Sequence, residues 1–541
     1  MTTRATKAAA KRPSVRKAAE AYFGHARLRP GQKAVVEALL DGHDVLLVAP
    51  TGAGKSLTYQ LGGLLLGGCT VVVVSPLLAL QVDQLRRLEE LDPAPAAARI
   101  SSAESAAERE EVLAQAEAGE LDFLFLSPEQ LASDEVRARL AEIEPTLVAV
   151  DEAHCVSTWG HDFRPDYFRL GDLVAEMGKP RVVAMTATAA PPVREDIVER
   201  LHLEDHRLVV SGFRRDNLAL SVVRAVSADA ARETVLDLVG RTEGPGIVYS
   251  RTRRLTEELA EAVTEGGRRA VCYHAGLSGR RRDEAYEAFM NGEVEVIVAT
   301  SAFGMGVDKP DIRWVVHAQA PEAPDTYYQE VGRAGRDGEP AEVCLVYRPE
   351  DLSLGRFFVG GVPDLADVRR VRKAVAKSGG DDRGAVQGAT GLGPRKVGRI
   401  LNLLELARTS SDEGADEAKT AVERAEAQQR LDKSRVEMMR TYAETTRCRT
   451  EWLQSYFGEE DRELCGRCDN CVSGVAEAPA APKDGPAVHT YVDHPEFGRG
   501  TVADIEDDRV TVLFEDVGYK TLSLEIVTEQ GLLDEVAASS S

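Results

Sequence analysis

The sequence predicts an α/β protein in which two tandem parallel-sheet domains precede smaller helical and β modules. Three observations carry that expectation. Between about residues 30 and 350, short β-branched runs alternate with helical stretches: "DVLLVAP", "TVVVVSP", "FLFLSP", "LVAVDEAH", "VVAMTAT", then "GIVYS", "AVCYHAG", "VIVATSAFG" and "VVHAQAP". After residue 350 the strand signal stops and helical patterns take over. From about residue 488 an alternating pattern returns, "TVADIEDDRVTVLFEDVGYKTL", as short strands of a small β-barrel would give.

The 541 residues are enough for three or four domains at about 150 residues each. Residues 1–20 are basic and lack an apolar core, which predicts a disordered tail, with an organelle transit peptide as the alternative. The α/β stretch is twice the length of one such domain, so it divides into 21–211 and 212–350, with the seam near "SGFRRDNL". Residues 351–411 hold three short helices, "DLADVRRVRKAVAK", "DRGAVQGAT" and "GPRKVGRILNLLELA", the size of a helix-turn-helix or winged-helix unit. Residues 412–474 read as a charged helical module with a cysteine cluster, 475–487 as an Ala/Pro linker and 488–535 as the small barrel.

The segment from Leu57 to Val82 has no charged residue, long enough to pose as a membrane span. Gly62-Gly63, Gly67-Gly68 and Pro76 interrupt it, and "TVVVVSP" fits a buried parallel strand instead. The charge balance is acidic, 66 Lys+Arg against 89 Asp+Glu, which taken alone argues against a nucleic-acid partner. It is uneven, however: residues 1–29 hold eight Lys/Arg and one Glu, while 501–541 hold ten acids and two bases. The total therefore does not constrain the middle of the chain. Of eight cysteines, Cys69, Cys155, Cys272 and Cys344 are scattered in or beside apolar runs, and the rest cluster. With no signal core, that pattern predicts a reducing cytosol and a metal site rather than disulfides.

"APTGAGKS", residues 49–56, lies between a strand and a helix, where the N–H groups of a Gly-rich turn cradle phosphates. In it, Thr51, Gly52, Ala53 and Gly54 wrap the phosphates, Lys55 reaches the β/γ-phosphates and Ser56 holds Mg²⁺. The strict pattern has Gly where this chain has Ala49. About a hundred residues on, Asp151 and Glu152 end an apolar run, placed to hold Mg²⁺ and to activate a water. In "YYQEVGRAGRDG", 327–338, a helix would project Gln329, Arg333 and Arg336 from one face, the arrangement of an arginine finger. Cys465, Cys468 and Cys471 at intervals of three, with Cys448 seventeen residues earlier, supply four thiolates for a closed Zn²⁺ site.

These stretches together resemble a superfamily 2 helicase and, within it, the RecQ family of DNA helicases. "SPLLALQVDQ", "LSPEQL", "MTATA", "VYSRTRR", "YHAGLS" and "ATSAFGMGVDKPDIRWVVH" match the remaining motor motifs in order, and the resemblance covers roughly residues 20–350 and resumes over 440–471. The resemblance implies two RecA-like motor domains, ATP with Mg²⁺, a zinc module, and 3′ to 5′ movement on single-stranded DNA with duplex unwinding in repair or recombination. It implies adenine and nucleotide contacts from Gln32 and Arg29 in "FGHARLRPGQ", and nucleotide contacts from Gly304 and Asp308. "CVSTWGHDFRPDY" is similar to the aromatic-rich loop that RecQ proteins place after the Mg²⁺ carboxylates, so Trp159, His161, Phe163 and Arg164 are expected to sense DNA.

Two departures stand out. RecQ proteins usually carry a winged helix after the zinc module, whereas the helix-turn-helix candidate here lies before it. The last residues resemble the Tudor- or SH3-like barrel that ends some superfamily 1 repair helicases; their acidity points to a protein partner, with DNA binding and a stabilising appendage as alternatives. An RNA helicase and a DNA-binding scaffold with an ATP-gated clamp also stay open at this stage.

Overall fold

The computed structural model describes residues 14–25, 27–67, 70–76, 78–101, 104–131, 133–157, 167, 169–304, 307–353, 361–378, 383–408, 416–459, 463–476, 486–488, 490–506, 508–515 and 517–536. Contacts divide the chain into two units: one runs to Gly212 without residues 190–192 and adds 305–308, and the other holds the remainder.

Unit one is built on a seven-stranded parallel sheet of β1 (Val45–Val48), β2 (Val71–Val74), β3 (Ala97–Ile100), β4 (Phe123–Leu126), β5 (Leu147–Val150), β6 (Arg181–Thr186) and β7 (Arg207–Val210), ordered β3-β4-β2-β5-β6-β1-β7. The central strands are apolar on both faces, "VVVV", "FLFL" and "LVAV", because helices cover both sides. Leu39, Tyr59, Val71, Phe123 and Phe125 belong to the resulting core.

Four helices frame its functional end: α1 (Val15–Phe23), α2 (Pro30–Asp41), α3 (Lys55–Leu66) and α4 (Leu78–Glu89). α1 starts inside the stretch read as a basic tail. Ser14 caps it by accepting from the Lys17 N–H, and Val15, Ala18 and Ala19 bury one stripe against Val36 and Leu61. The 57–82 stretch becomes α3, β2 and the start of α4; no helix among the described residues is long and apolar enough to cross a membrane.

Unit two begins with a six-stranded parallel sheet of β8 (Leu218–Arg224), β9 (Gly246–Tyr249), β10 (Ala270–Tyr273), β11 (Val296–Ala299), β12 (Trp314–His317) and β13 (Ala341–Tyr347), ordered β10-β11-β9-β12-β13-β8. Helix α5 (Pro324–Val331) follows β12. Three helices then appear where the sequence places them: α6 (Leu365–Ser378), α7 (Arg383–Thr390) and α8 (Pro394–Arg408). They share a core with the start of α9 (Glu417–Glu444), a 28-residue rod about 42 Å long. Helix α10 (Arg449–Tyr456) and the cysteine cluster come next.

The C-terminal residues form a five-stranded antiparallel sheet of β14 (Tyr491–His494), β15 (Gly498–Glu506), β16 (Arg509–Phe514), β17 (Gly518–Ser523) and β18 (Asp534–Val536), ordered β17-β16-β15-β14-β18. Val510, Val512 and Phe514 fill its core as their alternation predicts. Alternation also predicts an exposed second face, yet Leu513 is buried. The reason is docking within unit two. Tyr519 stacks on Tyr456 of α10 at 5.7 Å, and its N–H donates to Ser434 Oγ of α9 (2.9 Å). Asp504 accepts from Ser455 Oγ (2.9 Å) and pairs with Arg447 at 2.5 Å, which also pairs with the fully buried Glu451. The sheet is therefore a fixed part of unit two, not a module hanging from a linker.

Removing the Tyr519 ring should cost about 2–3 kcal/mol, somewhat below a fully buried aromatic. Tyr519→Ala is expected to speed proteolytic loss of the C-terminal sheet, whereas Tyr519→Phe, which keeps the stack, should cut like the parent. Equal cutting rates for all three chains would contradict the docking.

Candidate functional site

In unit one the loop after β1 turns at Gly54 (φ +76°) and delivers Lys55 and Ser56 to the first turn of α3. That left-handed backbone favours glycine, and a Cβ there would also press on Gln32 Nε2 at 2.5 Å. Gln32 on α2 braces the loop by donating from Nε2 to the carbonyls of Ala53 (3.0 Å) and Gly54 (3.2 Å), and Arg29 Nη1 donates to the Gly52 carbonyl (2.9 Å). Gln32 Oε1 in turn accepts from the Arg29 N–H (3.0 Å). Thr51 sits in the turn, half-buried, and Lys55 Nζ donates to the Ala49 carbonyl (3.0 Å). Ser56 Oγ accepts from Gln84 Nε2 of α4 (2.7 Å), and Gln84 is held by Gln60 (3.1 Å). Beside the loop lies a cavity of about 450 Å³ whose lining includes Phe23, His25, Arg29, Gln32, Ser56 and Gln84.

Asp151 and Glu152 follow β5, the strand next to β2 and β6. Burial, reinforced by the neighbouring Glu152 and opposed by Lys55, pushes the Asp151 carboxyl up to about 7. A divalent cation there favours the ionised form, as expected of a carboxylate kept for a metal. Glu152 adopts a left-handed backbone (φ +49°) and places Oε2 3.3 Å from His154 Nδ1. His154 is fully buried and its Nδ1 is 2.9 Å from Thr186 Oγ1, which receives the Thr188 N–H and donates to the Thr188 carbonyl. The carboxylate pair is thus tied to the end of β6. Trp159, His161, Phe163 and Arg164 lie outside the described residues. Tyr167, which follows them in sequence, is buried with its hydroxyl donating to the Asp151 carbonyl (3.3 Å). Val307 and Asp308 group with unit one, where Asp308 pairs with Arg87, itself bonded to Asp83 at 3.0 Å.

In unit two, Gln329 lies on α5, but the helix stops at Val331. The single helical face expected for Gln329, Arg333 and Arg336 is corrected: both arginines follow in turns. Gly335 ends the helical path at φ +57°, its N–H donating to the Ile312 carbonyl (2.9 Å) and its own carbonyl accepting from Arg215 (2.9 Å) and Asn217 (2.8 Å). Arg333 is buried, and its Nη2 would stand 3.6 Å from a Cβ built on Gly304; the same Cβ would meet the Ser301 carbonyl at 2.7 Å, so Gly304 has no room for a side chain.

Cys448, Cys465, Cys468 and Cys471 converge, with all Sγ atoms within 4.8 Å of one another. The Cys465–Cys471 and Cys448–Cys468 separations of 3.9 and 4.0 Å approach the roughly 3.8 Å edge of a Zn–S tetrahedron. Backbone N–H groups of Cys465, Arg467 and Cys468 point at Sγ atoms (3.3–3.4 Å), as thiolates require. The donor set fits Zn²⁺. Asp469 beside it binds Arg449 (2.6 Å) and accepts from the Val222 N–H of β8 (2.9 Å), joining the centre to the parallel sheet. Among the scattered cysteines, Cys155 and Cys344 are buried and Cys272 is partly so; Cys69 lies outside the described residues.

Three family models match the chain: DEAD/DEAH box helicase over residues 29–197, helicase conserved C-terminal domain over 230–338, and RecQ zinc-binding over 402–472. The ATP-dependent DNA helicase RecQ of Synechocystis is 35% identical over 489 residues, covering 86% of this chain and 99% of that protein. The chain belongs to the RecQ family of ATP-dependent DNA helicases. The probable helicase RecS of Bacillus subtilis is 41% identical over 65% of this chain and 71% of its own length. Bacillus subtilis RecQ is 34% identical over 83% of this chain, and the alignment spans 65% of that longer protein. The structure of the helicase MrfA bound to DNA shares the fold, with TM-score 0.53 at 20% identity over 63% of this chain and 49% of that one.

As members of this family do, the chain uses ATP with Mg²⁺, and its four-cysteine centre takes Zn²⁺. Sequence reasoning missed two parts of this RecQ site. His154 is visible only as the last letter of "DEAH", and its bond to Thr186 joins residues 32 apart. Gln84 lies within "SPLLALQVDQ", but its hold on Ser56 depends on α4 bringing that side chain to α3, 28 residues away in sequence.

Proposed function

We propose that this RecQ-family chain moves 3′ to 5′ along single-stranded DNA and unwinds duplexes in repair or recombination, spending one ATP per cycle. The observation that carries the reading is the braced phosphate loop with Ser56, Asp151 and Glu152 beside it, in a chain whose zinc centre is joined to β8 of the second parallel sheet. Mg²⁺ held through Ser56 and Asp151 would neutralise charge on the transferred phosphoryl group. Backbone N–H groups of Thr51–Ser56 bind phosphate oxygens, and Lys55 adds a full positive charge. Glu152 takes the proton of the attacking water, with His154 holding its carboxylate in place. Gln329, Arg333 and Arg336 supply polar and cationic groups for the hydrolysing state, and Gly304 and Asp308 contact the nucleotide. Arg29 and Gln32 read the adenine edge while fixing the loop.

The segment carrying Trp159, His161, Phe163 and Arg164 reports DNA to Glu152, since a base stacked on an aromatic ring gains about 1–3 kcal/mol whatever its identity. The protein works in the cytosol, at the nucleoid of a bacterial cell. The acidic outer surface of the C-terminal sheet receives a basic protein partner rather than DNA.

ATP turnover with and without single-stranded DNA tests this reading. Trp159→Ala should keep the DNA-free rate and lose most of the stimulation by DNA. An unchanged stimulation ratio would remove Trp159 from the sensing role, and no stimulation in the parent chain would remove the DNA-driven motor.

A further inference from the structure

We propose that α7, the turn 391–393 and α8 form a docking surface for duplex DNA; this rests on the helicase reading and names the element that grips the duplex. Helix α7 has eight residues and α8 fifteen, joined by three, the proportions of a helix-turn-helix whose second helix enters the major groove. Val397, Ile400, Leu401 and Leu404 of α8 are buried with Val386 of α7 and Val368 and Val371 of α6. The opposite side of α8 therefore carries Arg395, Gly398, Arg399 and Asn402 at helical spacing, and all four stay at least partly exposed. Arginine and asparagine are side chains suited to base edges and phosphates in that groove.

Charge complementarity selects the occupant. The whole chain carries −23, yet residues 365–408 hold ten Lys/Arg against four Asp/Glu, a local balance of +6. Part of that charge is committed to the fold. Arg369 and Arg372 pair with Asp416 (2.8 and 3.1 Å), and Lys396 and Arg370 pair with Asp367 (2.6 and 3.3 Å). Lys373, Lys377, Arg383, Arg395 and Arg399 have no carboxylate within ion-pair distance among the described residues, and all but the half-buried Arg399 are exposed. Such a surface binds a polyanion by releasing its counterions.

A second observation is independent of charge. Gly388 lies inside α7 and Gly398 inside α8, and a Cβ at either would meet nothing within 4 Å. Glycine weakens a helix, and packing within the protein does not call for it here. Two bare patches beside the basic side chains let a phosphate backbone come close to the helices. This unit shares its core with the start of α9, the rod that leads to the zinc centre.

The test uses the full chain with Arg395→Gln and Arg399→Gln together, both on the surface and outside the motor. Fluorescence anisotropy would follow a short blunt DNA duplex and an unrelated single strand across a salt series, beside single-strand-stimulated ATP turnover. The proposal expects duplex affinity to fall about tenfold at moderate salt and the slope of log K against log salt to drop by about 1.8, two phosphate contacts' worth. Single-strand-stimulated turnover should stay within about twofold. Unchanged duplex affinity and slope would overturn the proposal, as would be found if an acidic protein were the true occupant. Absence of stimulated turnover in the parent chain would instead sink the helicase reading, leaving the duplex measurement to stand separately.

Discussion

Lys55→Ala is expected to lower DNA-stimulated ATP turnover by about a hundredfold or more while single-strand affinity stays within a few-fold. Two effects add. The ammonium is a full positive charge at the phosphate loop, held at its start by the Ala49 carbonyl 3.0 Å away. Removing one such preorganised donor from a developing oxyanion costs about 10²–10³ in rate. Lys55 also favours the ionised form of Asp151, whose carboxyl burial and Glu152 already push up to about 7. Without it the Asp151 proton is held more tightly near neutral pH, and Mg²⁺ must displace it. The loss should therefore be partly relieved by raising pH or Mg²⁺, a signature that simple misfolding would not give. Steady-state turnover across Mg²⁺ concentration at two pH values checks this. Near-parental turnover in the variant would refute the phosphate-loop assignment.

The second large effect is expected at the zinc centre. Cys468 is fully buried, and its N–H and Sγ both take part in the four-thiolate cluster. Structural Zn²⁺ contributes roughly 10 kcal/mol or more of folding free energy at neutral pH, a quantity comparable to the whole stability of a domain. Cys468→Ser should bring metal content from about one zinc per chain to near zero, and yield aggregated or protease-sensitive protein. The damage should reach beyond the cluster. Asp469 holds Arg449 and the Val222 N–H, and α10 carries Tyr456, on which Tyr519 of the C-terminal sheet rests. Cys155→Ser, at a buried cysteine far along the sequence, should leave the zinc content unchanged. A zinc-free Cys468→Ser chain of parental stability would contradict this account.

What the sequence reveals and what it hides follows from the range of the forces involved. "VVVV" and "FLFL" announce themselves because strands covered on both faces must be apolar throughout. β3, "AARI", does not: it is an edge strand, half-exposed over most of its length, and Ala and Arg carry no strand signal. The phosphate loop and the cysteine spacing are legible because their chemistry fixes residue type at short intervals. The break after Val331 was hidden, since the bonds that reward it come from Ile312, Arg215 and Asn217, distant in sequence. Docking of the last sheet was equally invisible. It depends on Asp504 meeting Arg447 and Ser455, contacts spanning about fifty residues and an Ala/Pro stretch that reads locally as a free linker. Buried Leu513 was the remaining clue, read as a surface residue because alternation alone cannot tell a solvated face from a docked one.

The central claim is that this chain converts ATP hydrolysis into strand separation on DNA. The most direct measurement is displacement of a labelled strand from 3′-tailed, 5′-tailed and blunt DNA duplexes by the full chain, with ATP and Mg²⁺ and with a non-hydrolysable ATP analogue. The account predicts displacement from the 3′-tailed duplex alone, dependent on hydrolysis and absent in Lys55→Ala. Vigorous DNA-stimulated ATP turnover with no displacement from any of the three would contradict it, and would leave an ATP-driven DNA-binding protein that does not unwind.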